Sequence, residues 1–123
     1  MNPEKQAASI SPNEVLSKAM IRAGDQLKLS NAAMAQVLGV SPPTISRMRH
    51  GVYVLEGKPF ELAALFLRIF RSLDAIVGGD AAVAAHWMQS ENLVLKDKPI
   101  NLIQKVTGLF HVIQYLDSRR AIS

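Results

Sequence analysis

The stretch from Asn31 to His50 leaves this chain the fewest choices, because the spacing needs of two short helices crossing at a tight turn all meet inside it. Such a pair needs a small residue where the first helix touches the second, and Ala35 supplies it. It needs a residue tolerant of positive φ at the turn, and Gly39 follows four residues later. It also needs apolar residues that pin the helices at a steep angle. Met34, Leu38, Val40, Ile45 and Met48 fall at those inward positions, with polar or small residues between them. An ordinary helical hairpin does not require this combination. The stretch reads as a helix-turn-helix.

In a unit of this kind the second helix lies in the DNA major groove with its N-terminal residues at the base edges. The outward positions are expected to be Pro42, Pro43, Thr44, Ser46, Arg47, Arg49 and His50. Arg47 is the candidate for bidentate contact with a guanine edge, and Thr44 for a thymine methyl or a hydroxyl acceptor. Ser41, Ser46 and Arg49 are placed for phosphates, which position a protein without reading sequence. Pro42 and Pro43 remove two backbone donors at the helix N-terminus and offer apolar contact instead. The expectation is moderate affinity per monomer and a dimer on a two-fold site.

Around this stretch the chain reads as helices with short punctuation. Ser11, Pro12 and Glu14 form a start signal, with Ser as N-cap, Pro at the first helical position and Glu closing a capping box. Val15, Leu16, Ala19, Met20, Ala23 and Leu27 then recur at helical spacing and define a buried face. Ser30 or Asn31 caps the next helix, which ends at Gly39, and Ser41 caps a third that ends near His50 and Gly51. A connector, Val52 to Lys58, leads into a long apolar helix from about Pro59 to Gly78-Gly79. That helix is apolar on more than one side, so it is the centre of the fold, a dimer interface, or both. Asp80 caps a helix through His86, Trp87 and Met88, and a polar loop with Asn92 and Lys96-Asp97-Lys98 leads to Pro99, which opens another. Thr107-Gly108 is expected to interrupt that helix, and Leu109 to Leu116 to run on into a tail, Ser118 to Ser123. The expected fold is all-α: a flexible N-terminus (1–10), a helix-turn-helix bundle (11–58), a long apolar linking and dimerisation helix (59–79), and a small helical C-terminal domain (80–123).

Composition narrows the function classes. The 123 residues, 49% hydrophobic and 20% charged, suit one compact domain or two very small ones with a real core. Absence of cysteine excludes disulfides, thiolate metal sites and cysteine nucleophiles. No signal-peptide pattern opens the sequence and no apolar run approaches about 18 residues, so a soluble cytoplasmic protein without a membrane partner is expected. His50, His86 and His111 lie far apart with no carboxylate cluster around them, and Gly78-Gly79 follows a helix rather than a strand. Neither catalysis nor a metal or other cofactor is expected. The net charge of +4 divides into seven basic and four acidic residues through Phe60, and seven and six after it. An excess of +3 in the first half suits a polyanion there, although surplus lysine on a solvated face gives the same sum.

Leu29-Ser30 through Gly39-Val40-Ser41, with Thr44-Ile45-Ser46-Arg47, resembles the Xre/Cro class of bacterial and phage regulators. Trp87, Asn92-Leu93, Pro99 with Leu102-Ile103, Gly108, Val112 and Leu116 are similar to the toxin-binding domain of the Xre/MbcA/ParS antitoxins. Together the two likenesses span roughly residues 15 to 117, and their coupling is the diagnostic part. This resemblance implies a type II antitoxin that represses its own operon through the first domain. Through the second it silences a NAD-consuming toxin of the RES-domain or ADP-ribosyltransferase-like type, encoded by a neighbouring gene, by covering its active-site entrance. Mapped here, it puts Tyr115, Ser118, Arg119, Arg120, Ala121, Ile122 and Ser123 at the toxin interface, the two arginines reaching a pocket built for an anionic dinucleotide. The sequence departs from the family pattern at Lys96-Asp97-Lys98, where a glycine-rich turn is usual, and at Leu109-Phe110, where charged residues are.

Other readings compete with these. A stand-alone Xre/Cro-type repressor whose C-terminal helices only dimerise satisfies the same pattern, as does a helix-turn-helix reused as a protein adaptor. Trp87 reads first as core, Pro99 and Gly108 as helix punctuation, and Arg119-Arg120 as a charge pair favourable to a helix C-terminus.

Overall fold

In the computed structural model, which describes residues 10–122, seven helices pack around a single core. They are α1 (Pro12–Gln26), α2 (Asn31–Leu38), α3 (Pro42–Arg49), α4 (Gly57–Ile76), α5 (Ala81–Gln89), α6 (Pro99–Leu102) and α7 (Val106–Ile122). The fold is all-α, as the periodicity requires. Residues 1–9 and Ser123, part of the expected N-terminal and C-terminal tails, lie outside the described residues.

Local chemistry sets most helix ends. The Ser11 hydroxyl accepts from the Glu14 N–H at 3.1 Å, and Pro12 opens α1. The Ser11 hydroxyl in turn donates to the Glu14 carboxylate at 3.5 Å, so the serine half of the expected capping box forms while the carboxylate meets the hydroxyl in place of the Ser11 N–H. Ser30 accepts from the Ala33 N–H at 3.0 Å, Gly39 ends α2 at φ 69°, and Asp80 Oδ1 accepts from Ala82 and Val83 at 3.1 and 3.2 Å. The connector before α4 is fastened rather than loose. Leu55 is fully buried, its N–H donates to Ser17 Oγ at 2.9 Å, and Asn13 Nδ2 donates to its carbonyl at 2.8 Å.

Helix α4 is the axle of the molecule. Ala63, Phe66, Leu67, Ile69 and Leu73 on it are buried, and it packs against α1, α2, α5 and α7. The buried cluster therefore runs without a gap from Met20 in α1 to Leu116 in α7. Two glycines mark close approaches. A Cβ on Gly24 of α1 would come within 2.5 Å of Met34 Sδ, so α1 and α2 touch there as well as at buried Ala35.

The second, Gly108, corrects the expected helix break. A Cβ there would lie 2.0 Å from the Leu102 carbonyl oxygen and 2.7 Å from its carbon. The chain turns earlier, between α6 and α7, and Gly108 is buried inside α7, where it lets the helix press on backbone. The expected C-terminal tail is corrected too, since α7 continues unbroken to Ile122.

Candidate functional site

Helices α2 and α3 form the helix-turn-helix. Met34, Leu38, Ile45 and Met48 are buried between them and Val40 is half-buried, which leaves one face of α3 in solvent. Ser41, Pro42, Pro43, Ser46, Arg47, Arg49 and His50 are all on the exposed side. Thr44 is not. It is only 8% exposed, because it lies one helical turn before buried Met48, on the same inward face of α3. Its hydroxyl pairs with Ser41 Oγ at 2.9 Å and accepts from Arg47 Nη2 at 3.2 Å, so it braces the arginine that sequence reasoning assigned to a base.

The N-terminus of α3 has no spare donors in its first turn. Pro42 and Pro43 lack N–H groups, and those of Thr44 and Ile45 donate to the Ser41 carbonyl at 3.0 and 3.4 Å. Anion binding by the helix end is thereby removed, and side chains must do the work.

Arg49 is already engaged. Its Nη1 and Nη2 donate to both carboxylate oxygens of Asp25 at 2.8 and 2.7 Å, and Nε and Nη2 donate to Asn31 Oδ1 at 3.0 and 2.9 Å. Those hydrogen bonds hold the Asp25 carboxyl below its usual range, against a smaller opposing effect of burial, and raise Arg49. The fork ties the end of α3 to the end of α1 and the start of α2. Sequence reasoning missed Asp25, since nothing local marks a partner 24 residues away.

A second surface forms where α5, α4 and α7 meet. Trp87 stacks on Tyr115 with centroids 6.2 Å apart and planes at 17°, and the Arg119 guanidinium sits 6.0 Å over the Tyr115 ring. Arg120 turns the other way, donating to Ser72 Oγ of α4 at 3.2 Å, and Arg68 pairs with Asp117. The two C-terminal arginines thus face different neighbours, and Tyr115 is half-buried; Ser118 and Ala121 are exposed beside them. Ile122 ends the helix. Trp87 is half-buried, packed on the core and carrying the stack at once.

A model of the antitoxin Xre-like helix-turn-helix domain matches residues 6–68, and a model of the antitoxin Xre/MbcA/ParS C-terminal toxin-binding domain matches residues 72–121. The chain belongs to the Xre antitoxin family. Neither domain family is enzymatic, and the second makes a toxin the partner of the C-terminal half. Comparison with curated proteins gives no significant match. In this antitoxin the two matched regions meet within α4.

One further feature lies on that shared helix. Phe60, Leu62 and Leu65 of α4 and Val106 and Phe110 of α7 line an open apolar groove of about 710 Å³, rimmed by the Lys58–Glu61 ion pair. Phe110, one of the departures from the family pattern, is 49% exposed there, while its neighbour Leu109 is buried. Among the described residues no helix is long and apolar enough to cross a membrane.

Proposed function

We propose that the antitoxin represses its own operon and neutralises a NAD-consuming toxin of the RES-domain or ADP-ribosyltransferase-like type, in the cytoplasm. The observation that carries the reading is the coupling, on one continuous core, of a helix-turn-helix bearing an exposed, braced Arg47 to a toxin-binding domain. Helix α3 enters the major groove, Arg47 reads a guanine edge, and Ser46, His50 and the two prolines meet the groove wall. Ser41 contacts a phosphate, and Arg49 does so only by exchanging Asp25 for it. Residues 11–58 serve the operator, 80–123 the toxin, and 59–79 the coupling between them. The toxin is held by Tyr115, Ser118, Arg119, Arg120, Ala121, Ile122 and Ser123, which cover its active-site entrance. The apolar groove of α4 and α7 suits a homodimer, and Leu62 in its wall lies beside Gly39 of the turn, which brings two reading heads near one axis.

Co-expression with the adjacent open reading frame tests the reading. Growth arrest by that product alone and rescue by the antitoxin are expected, together with binding to the promoter fragment that falls steeply with salt. An innocuous neighbour, or no binding to promoter DNA, overturns it.

A further inference from the structure

Between α5 and α6 the chain makes a tight hairpin that spends unusual effort on a small job. Asn92 and Asp97 bridge in antiparallel fashion, with the Asn92 N–H donating to the Asp97 carbonyl at 3.1 Å and the Lys96 N–H to the Asn92 carbonyl at 2.7 Å. The Asn92 side-chain oxygen accepts from the Val94 and Leu95 N–H groups at 3.0 and 2.9 Å. Asp97, its carboxyl held low chiefly by the Asn101 amide and then by the Lys98 N–H, anchors the base to α6. Lys96 adopts φ 63°, an uncommon conformation for a residue with a side chain.

The three apolar residues at the apex then divide. Leu95 turns inward and packs on the core, whereas Leu93 is 92% exposed and Val94 68% exposed. The fold makes almost no use of Leu93, and water gains nothing from it. Two adjacent aliphatic side chains displayed by a fastened turn, with Glu91, Lys96 and Lys98 exposed around them, form an apolar centre with a polar rim. A turn already ordered by its own hydrogen bonds loses little freedom on docking. Isolated surface leucines are ordinary, whereas Leu93 and Val94 stand side by side as one contiguous apolar spot.

We infer that the Leu93–Val94 apex is a second anchor for the toxin, inserting into an apolar depression on it. The occupant is the toxin because the apex lies inside the region that matches the toxin-binding domain and follows α5 directly, the helix that carries Trp87 of the stack. This inference rests on the toxin-binding reading above and adds to it a contact outside the C-terminal helix.

A Leu93→Ser, Val94→Ser double variant tests it, since neither side chain contributes to the core. Thermal unfolding and promoter binding stay unchanged. Affinity for the purified product of the adjacent reading frame, measured by titration calorimetry, falls on the order of 100-fold, as loss of two buried aliphatic side chains requires. Equal affinity of the variant and the wild type overturns the anchor while leaving the toxin reading intact. Unchanged toxin affinity with a changed mass in light scattering overturns it in favour of contact between copies of the chain. A wild type that does not bind that product overturns the toxin reading and the anchor with it.

Discussion

Replacing Gly108 by alanine separates two accounts of this residue by the sign of the effect. If glycine merely interrupted a helix, alanine would lengthen it and stabilise the protein by about 1 kcal/mol. The structure puts a residue-108 Cβ 2.0 Å from the Leu102 oxygen, 2.7 Å from its carbonyl carbon and 3.0 Å from its Cα. All three are backbone atoms, so no rotamer change relieves the contact. The α6–α7 junction has to move by about an ångström, and it is wedged against buried Ile103 and Leu109. Forcing extra volume into a packed site costs roughly 1–3 kcal/mol and occasionally more. The upper part of that range applies here, and the helix-propensity gain of about 1 kcal/mol leaves a net loss near 2 kcal/mol. For a domain of this size that lowers Tm by roughly 8 °C. Urea and thermal unfolding of Gly108→Ala against wild type measure it. An unchanged or raised Tm refutes the close-packing account of Gly108.

Gly24→Ala makes a contrasting case, because its Cβ meets the flexible end of Met34; a loss of under about 1 kcal/mol is expected in the same unfolding assay. Arg47→Ala relaxes base preference on promoter DNA at a cost of about 1–3 kcal/mol, read by competition binding, while thermal stability holds. Asp25→Asn releases Arg49 to a phosphate, so the logarithmic salt slope of promoter binding steepens by about 0.9 per protomer. Asp25 is lowered in the folded state, so its contribution is present above its unfolded value of 3.8 and lost as pH falls below it. The variant therefore loses part of the acid sensitivity of stability below about pH 4, a small effect for an exposed pair. Phe110→Ser, at the rim of the apolar groove, shifts the protein toward monomer in light scattering without unfolding it.

Features decided within a few residues were legible in the sequence. Ser11, Ser30, Gly39 and Asp80 end or begin helices where residue chemistry says they should, and the apolar spacing of the helix-turn-helix places its core. Thr44 was misread because its hydroxyl suggested a groove contact, although it stands four residues before apolar Met48 and so shares that residue's inward face. Gly108 was misread because a glycine that permits close approach looks, in one dimension, like a glycine that ends a helix. The Asp25–Arg49 fork, the Trp87–Tyr115 stack and the Arg120–Ser72 bond join residues far apart in the chain, and no local pattern announces them. The C-terminal segment looked like a tail because its exposed residues lack the apolar period of a packed helix, although α7 carries them as its final turns.

Restraint of a toxin's chemistry is tested most directly by following NAD consumption by the purified neighbouring gene product while the antitoxin is titrated in. Consumption should stop at a fixed molar ratio and stay stopped when more NAD is added. Continued loss of NAD in the presence of a molar excess of bound antitoxin would contradict the account.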